Sequence, residues 1–582
     1  MAFMNLFVSK GGIMRVPRRI FVLVGLLVFI PSFVLAQQVE KVQTGERQID
    51  EEKILRERIE TEQEQPQIEE PAPPVPLPAS KDEKAFIKKI NVTRVTLLPD
   101  YVIFGITAPF ENKELTLAEM QKVVNLITDA YRGRGFVTSR AYLPPQKIAD
   151  GVLEIMAVEG TTGDVSVKGN KFFRSALIRK AISLQRGEVF DYNKLRRSLS
   201  RLNSHPDRKV KAVLVPGSDP GTTDIVLEVT DNMPVHLRLD YDNYASRYVG
   251  KNRYSGTVSH NNIFGLDDIL SLQYQTGEAQ AYRLVSGRYL VPVSSKTKVG
   301  AFASRSEVSL GREFADLDAR GKSRMYGIFA THELLNKDDL SVTFNTGFDY
   351  LDSFNFQAGA EQSRDRMRIA KLGLDLDYSD QWLGGGRTIF SPEVDFGFAN
   401  IMGGMKAKDD RASRAGSGGK FVKFPANILR LQKMPFSSSL LWKNSVQLSS
   451  YTLAASQQIQ LGGISNVRGY PSGEYVGDQG FTSTLEWLLP PYLFPKDIQV
   501  PFSKAKFYDA FKIALFYDWG WAQLHHPQAG ERKHETLRGA GFGFRFNLPE
   551  NFSLRADFAW PVRKVPSDNN HMHPWLAVSK EF

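Results

Sequence analysis

Gly541-Phe542-Gly543-Phe544-Arg545-Phe546-Asn547-Leu548 is followed, after a short break, by Phe552-Ser553-Leu554-Arg555-Ala556-Asp557-Phe558-Ala559-Trp560. In the first stretch phenylalanine and leucine take every second place, with glycine, arginine and asparagine between them. In the second, Phe552, Leu554, Phe558 and Trp560 alternate with Ser553, Arg555, Asp557 and Ala559. Successive side chains of an extended chain point to opposite faces, so each stretch has an aromatic face and a charged or small one. Lipid outside and water inside satisfy both faces at once, whereas a soluble sandwich would need a second sheet to cover the aromatic face.

The period of two starts at His236-Leu237-Arg238-Leu239-Asp240-Tyr241-Asp242, where the polar residues share one parity. Residues 235–582 leave room for roughly 16 strands of about ten residues with their connections. An even number returns Phe582 to the side where the first strand begins. The ending Trp575, Leu576, Val578, Phe582 resembles the signal read by the barrel assembly machinery, with Lys580 interrupting the alternation. The expected fold is a transmembrane antiparallel β-barrel of about 16 strands, residues 234–582, preceded by small α/β domains.

Composition agrees. The chain has 582 residues, aromatic content of 11% and no cysteine. Mean hydropathy is only -0.28, which a barrel tolerates because each strand buries one face in lipid. The lack of cysteine removes thiol catalysis and thiolate metal sites. Lys10, Arg15, Arg18 and Arg19 precede the apolar run Ile20 to Val34, and Val34-Leu35-Ala36 fits signal-peptide cleavage, so residues 1–36 are read as a signal. The net charge of +10 is partly this signal; no basic helix or aromatic-basic interleaving points to nucleic acid.

Residues 37–64 are polar, with spacing suited to a solvated helix through Glu51 to Glu60; a mobile helix and a disordered tail both remain open from these residues. Residues 65–84 contain Pro71-Ala72-Pro73-Pro74-Val75-Pro76-Leu77-Pro78, a semi-extended linker with no core to bury. From Ala85 the texture is α/β. Leu117, Met120, Val123, Val124, Ile127 and Tyr131 recur at helical spacing, and Leu117 and Val124 are read as core rather than substrate groove. Leu153-Glu154 and Leu227-Glu228 recur about 74 residues apart, which suggests two copies of one module, 85–160 and 161–233.

Several constellations carry no chemistry on this reading. Gly539-Ala540-Gly541-Phe542-Gly543 continues as a strand and opens no helix, so it is not a nucleotide loop. His525-His526 and His571-Met572-His573 are expected to be solvated loop histidines rather than metal ligands. No cofactor or enzyme motif stands out.

In order along the chain, Gly135 to Gln146 with Asp150-Gly151-Val152-Leu153-Glu154-Ile155, then Tyr192 to Arg197 with Leu214-Val215-Pro216-Gly217, resemble the two POTRA domains of the TpsB family. These are the outer-membrane transporters of two-partner secretion that export haemolysins and filamentous adhesins. Asn261 to Asp268 is similar to the family's early barrel hairpin. The most specific match is Leu461-Gly462-Gly463-Ile464-Ser465-Asn466-Val467-Arg468-Gly469-Tyr470, taken with Phe516-Tyr517-Asp518-Trp519-Gly520.

The resemblance implies a plug helix in residues 37–64, periplasmic POTRA domains, and a barrel in the outer membrane of a Gram-negative bacterium. It implies no cofactor. The implied partner is a secreted exoprotein: an adhesin, cytolysin or haem-binding protein passed unfolded through the barrel.

By parity Ile513, Leu515, Tyr517, Trp519 and Trp521 face lipid, while Phe516, Asp518 and Gly520 face the lumen; Glu486 opposes the face of Phe481, Ser483, Leu485 and Trp487. Parity alone is equally met if Arg468 caps an extracellular turn and Asp518 is a solvated lumen charge. The resemblance implies that the loop carrying Val467, Arg468, Gly469 and Tyr470 folds inward and pairs Arg468 with Asp518. Gly469 is read as the tight-turn residue. A lumen-exposed pair would contribute only ~1 kcal/mol and would mainly set loop position. An insertase of the same superfamily, a porin with periplasmic domains and a surface-processing enzyme are the other readings.

Overall fold

The computed structural model describes residues 38–43, 56, 58–59, 67–69, 84–148, 150–337 and 339–582. The signal reading of residues 1–36 and most of the linker lie outside them. Two compact units are present: Glu62–Val235 with His260–Ile269, and Met1–Thr61 with His236–Ser259 and Leu270–Phe582.

In the first unit, β1 (Ile68–Glu69) precedes β2 (Lys84–Ile87), β3 (Lys89–Thr93), α1 (Asp100–Thr107), β4 (Lys113–Thr116), α2 (Leu117–Arg132), β5 (Arg140–Tyr142) and β6 (Val152–Val158). Helix α2 starts at a capping box in which the Thr116 hydroxyl accepts from the Glu119 amide and the Glu119 carboxylate accepts from the Thr116 amide. Its buried stripe of Met120, Val123, Val124, Ile127 and Tyr131 packs on Leu153, Ile155 and Ala157, alternate residues of β6. Leu117, expected in this core, is instead 42% exposed, although Met120 of the same helical turn is buried. Helix α1 carries no strong period and is a new element.

The second module comprises β7 (Thr161–Lys168), α3 (Ser175–Ala181), α4 (Tyr192–Asn203), β8 (Arg208–Pro216) and β9 (Thr222–Asp231). The two modules share one topology. In the first, β6 runs parallel to β3 and antiparallel to β5; in the second, β9 runs parallel to β7 and antiparallel to β8. Leu153-Glu154 sit opposite Ile90-Asn91, and Leu227-Glu228 opposite Val167-Lys168. The repeated dipeptide therefore marks equivalent places.

The linker is not wholly without a core. Ile68 lies opposite Ala212 in a parallel pairing with β8, and the Ala212 amide donates to the Gln67 carbonyl at 3.2 Å. An extended chain supplies the ladder groups that an open edge lacks, and Ile68 covers the apolar interior of this module.

The second unit is a closed barrel of sixteen antiparallel strands. It closes where Val235–Asp242 pairs with His573–Glu581, Tyr241 opposite Val578. The Phe582 amide donates to the Leu237 carbonyl at 2.9 Å, so both barrel termini lie at one end. Strands are longer than the expected ten residues on one side, reaching 18 in Leu340–Gln357 and 21 in Ala360–Asp380. A bilayer needs only about 9–11 residues per tilted strand, so the ladder continues beyond it.

The aromatic face of the opening stretch is the outside of the wall. Phe542 lies 5.4 Å from Phe558 and 5.8 Å from Phe544 and Trp560, ring centre to ring centre. Trp575, grouped in the sequence with the C-terminal apolar face, has the opposite parity and turns inward, 6% exposed.

A buried charge cluster as the candidate functional site

The segment 450–478 between strands Ser438–Ser449 and Gln479–Leu489 folds back into the barrel. Its short strands Ile459–Leu461 and Tyr475–Gly477 pair with each other, Gln460 opposite Val476. Gly462 and Gly463, at φ 98° and 91°, supply the left-handed backbone for the turn between them. Asn466 fastens it: its side-chain oxygen accepts from the Gly462 and Val467 amides at 2.8 and 2.7 Å, and its amide donates to the Gln460 carbonyl at 2.9 Å. Ile459, Leu461, Val467 and Tyr470 then pack on Ala522 and Leu537 of the wall.

This anchoring delivers Arg468 to the wall. Its Nε and Nη2 donate to the two Asp518 oxygens at 2.8 Å each, and its backbone N–H donates to the same carboxylate at 3.1 Å. Nη1 donates to Glu486 at 2.9 Å, and the guanidinium lies 3.3 Å from the Phe516 ring centre, a cation–π contact. The Arg468 carbonyl accepts from the Trp575 indole at 2.9 Å. The fork of a guanidinium suits this bidentate geometry.

Three more charged residues join that parity had only assigned to the lumen. Arg545 bridges Glu486 and Asp557 at 2.9 and 2.7 Å, and Arg555 donates to Asp557 at 2.8 Å. Arg468, Asp518, Glu486 and Asp557 have side chains at most 1% exposed. This burial changes the energetics expected for a lumen-exposed pair: removing one partner of a buried pair costs about 3–5 kcal/mol because the other charge is stranded.

The glycines make the close approach possible. Gly469 is not a positive-φ turn residue; a Cβ there would meet the Trp560 carbonyl oxygen at 2.6 Å. At Gly520 a Cβ would meet Val467 at 2.9 Å, and at Gly539 it would meet the Gly469 nitrogen at 3.0 Å. The run Gly539-Ala540-Gly541-Phe542-Gly543 thus has a structural reading as well as an aromatic one. Its glycines clear the inner wall for the loop, for Phe516 and for Asp557.

The amino-terminal segment enters the same lumen. Residues 38–43, Arg56, Arg58 and Ile59 are helical. Arg56 lies 3.3 Å from Glu486, and Arg58 lies 3.3 Å from Asp375. Gln43 accepts from Ser353 at 3.1 Å, and Glu40 accepts from Ser353 and from Asn355, the latter at 3.3 Å. Val39 and Val42 pack with Ala245, Val249 and Val308, and Ile59 packs with Ile389, Leu429 and Leu441.

His526 and His571 are exposed, as expected, whereas His573 and His525 are drawn in among the loops. His573 is buried with Nε2 3.1 Å from Asp568, His526 bonds the Thr452 hydroxyl at 2.7 Å, and His525 reaches the Ser449 carbonyl. They serve as loop braces because the extracellular connections pack on each other. Among the described residues no group of three or more histidine, aspartate or glutamate side chains could hold a metal ion.

A closed barrel with an aromatic exterior, an inward-folded loop and two β-α modules on its amino-terminal side defines an outer-membrane transporter with periplasmic POTRA domains. Residues 221–546 match the family model for haemolysin secretion/activation protein ShlB/FhaC/HecB, and the chain belongs to that family. Residues 85–160 match the ShlB-type POTRA domain, and residues 161–230 match a second POTRA model, described as surface antigen variable number repeat.

The heme/hemopexin transporter protein HuxB of Haemophilus influenzae (strain 86-028NP) is 22% identical over 488 residues, 81% of this chain and 82% of its own length. The outer membrane transporter CdiB of Dickeya dadantii (strain 3937) is 23% identical over 417 residues, 69% of this chain and 72% of its own. The solved structure of CdiB from Escherichia coli superposes with a TM-score of 0.71 at 19% identity, covering 94% of this chain and 98% of that one.

Proposed function

We propose that the protein binds an unfolded partner exoprotein in the periplasm and passes it through the barrel to the cell surface. The buried cluster around Arg468 then serves as the fixed point of the inward loop. The observation that carries the loop's role is the three-way junction at Glu486. One carboxylate there holds the loop through Arg468, the wall through Arg545 and the amino-terminal segment through Arg56.

The amino-terminal segment, residues 37–64, acts as a plug at rest. Without Arg56, the three arginines of loop and wall, Arg468, Arg545 and Arg555, face the three carboxylates Asp518, Glu486 and Asp557. Glu486 therefore keeps Arg468 and Arg545 when Arg56 withdraws. The plug can leave without stranding a buried carboxylate.

Capture is by strand addition, which gives backbone hydrogen bonds without requiring a fixed sequence. In the second module Ile68–Glu69 covers the β8 edge, so β5 of the first module is the edge we assign to the exoprotein. The cargo is an adhesin, a cytolysin or a haem-binding protein, and HuxB's name makes the last a class to test first. The barrel assembly machinery inserts the chain through its C-terminal strand. Comparing the secreted proteins of a deletion strain and its complemented parent tests the reading. One large exported protein should vanish and return, whereas unchanged secretion with altered barrel insertion would favour the insertase.

A further inference from the structure

The connection at 490–510 is unlike the other turns at its end of the barrel. That end is periplasmic, because the first barrel strand starts there directly after the POTRA modules. Neighbouring strands are joined by tight turns, as at Pro435-Phe436-Ser437 and Glu550-Asn551, which is usual for this side of an outer-membrane barrel. Residues 490–510 instead form a small hairpin. Gln499 bridges Lys506, the Val500 amide donates to the Ala505 carbonyl at 2.9 Å, and the Phe507 amide donates to the Ile498 carbonyl at 2.8 Å. A short helix, Phe507–Ala510, leads into the next strand.

The hairpin displays apolar side chains instead of hiding them. Leu493 is 97% exposed and Phe502 is exposed in full, with Tyr492, Phe494 and Ile498 about half exposed. Val500-Pro501-Phe502-Ser503 is a turn with proline at its second position and a left-handed third residue, Phe502 at φ 63°. Glycine or asparagine takes that place without strain, and a bulky residue there is an outlier. The adjoining turn repeats the Pro-Phe-Ser sequence: Phe436, 84% exposed, sits at φ 61°, and its carbonyl accepts from the Tyr492 hydroxyl at 2.9 Å. Glu550 of a third turn holds the hairpin tip, accepting from the Ser503 hydroxyl at 2.8 Å. Phe502 is thus presented outward on a braced support.

Two observations name the occupant. The apolar surface is continuous with the lipid-facing wall: the rings of Phe494, Phe507, Phe511 and Phe544 follow one another at 5.0, 5.1 and 5.8 Å. Phe511 has the parity of Leu515 and Tyr517, so the stack leads from membrane-facing strands to the hairpin. On the hairpin itself Lys496, Lys504 and Lys506 outnumber Asp497 and Asp509, while Glu550 braces the tip. Exposed apolar side chains flanked by lysine are the pattern of a membrane-interface anchor, with lysine reaching for anionic headgroups.

We propose that residues 490–510 form an interfacial anchor that inserts Leu493 and Phe502 into the inner leaflet of the outer membrane and gathers anionic phospholipid around its lysines. The proposal rests on the barrel spanning the membrane.

The natural absence of cysteine allows single-cysteine variants carrying an environment-sensitive fluorophore. Leu493→Cys, Phe502→Cys and Lys147→Cys, the last on an exposed POTRA loop, are reconstituted in vesicles of phosphatidylethanolamine with phosphatidylglycerol or with phosphatidylcholine. Quenching of Leu515→Cys by deep nitroxide lipid establishes insertion in each preparation. The expected result is at least two-fold quenching of positions 493 and 502 by headgroup-labelled nitroxide lipid, none at 147. Quenching should be stronger with phosphatidylglycerol, and this preference should be lost in K496Q/K504Q/K506Q. Water-like emission without quenching at both positions overturns the proposal, as does shielding that appears only when exoprotein is added. Equal quenching in the two lipid mixtures overturns its anionic half.

Discussion

Arg56, from the amino-terminal segment, lies 3.3 Å from Glu486, the same carboxylate that receives Arg468 of the inward loop at 2.9 Å. The resting segment and the loop therefore meet on one wall residue. The contacts are unequal: Arg468 grips Asp518 with two parallel hydrogen bonds at 2.8 Å as well as Glu486, whereas Arg56 reaches Glu486 at the longer distance.

Replacing Arg56 with alanine should open the pore without harming the barrel. We expect single-channel recordings in planar bilayers to show a several-fold rise in the fraction of time open. Heat-modifiability of the barrel should match the parent, since Arg468 and Arg545 still hold Glu486. Unchanged gating would separate the segment from pore closure.

Arg468→Ala and Arg468→Lys should both abolish export at parental membrane levels. Alanine strands Asp518, with a local cost of about 3–5 kcal/mol. Lysine keeps the charge but loses the two parallel hydrogen bonds and the planar contact with Phe516. Export by the lysine variant at parental rate would show that charge alone suffices.

Gly469→Ala tests the close approach rather than the charge. Its Cβ would sit 2.6 Å from the Trp560 oxygen, and overpacking of this kind costs about 1–3 kcal/mol. The loop should leave the wall with Arg468 intact in sequence. Limited proteolysis from the cell surface should then cut within 450–478, where the parent resists, and secretion should fall with it.

His205 gives the POTRA unit a pH dependence. Burial pushes its pKa below the ordinary 6.5, and the nearby Arg208 guanidinium pushes the same way, against the weaker pull of its bond to the Asn261 carbonyl. Its Nε2 pairs with that carbonyl at 2.8 Å while Nδ1 accepts from the Asp207 amide at 3.2 Å, so the ring is neutral. The unfolded chain takes up the proton first as pH falls. The stabilisation is therefore complete above pH 6.5 and is lost below it, at no more than about 1.4 kcal/mol per pH unit, until the folded pKa is reached. Hydrogen exchange at the Asp207 amide should accelerate over this window beyond its intrinsic rate, and His205→Phe should remove the slope.

Parity made much of the barrel legible. Alternation at 541–548 and 552–560 fixed which side chains meet lipid, and the register bears this out with Phe542 opposite Phe558 and Asp518 opposite Gly539. Parity assigns a side chain to a face, however, and says nothing of depth along the barrel or of neighbours two strands away. For that reason Arg545 and Asp557 were legible as lumen charges but not as partners of Glu486. Leu117 shows a related limit: it shares the helical stripe of Met120 and Val124, yet spacing alone does not show which of its members are covered. Trp575 was misplaced because it was grouped by its apolar character rather than by its odd position.

The sequence by itself determined the local rules: extended strands with one apolar face, two copies of an α/β module, an arginine on a glycine-flanked loop and an aspartate on a wall strand. These follow from side-chain period and backbone freedom, which act between near neighbours. Only the tertiary structure decided that the loop would turn inward, that Gly469, Gly520 and Gly539 would let it touch the wall, and that four arginines and three carboxylates would share one buried site. Those outcomes depend on strand stagger and barrel closure, which bring Arg468 within hydrogen-bond reach of Asp518, 50 positions away, and exclude the water that would otherwise separate their charges.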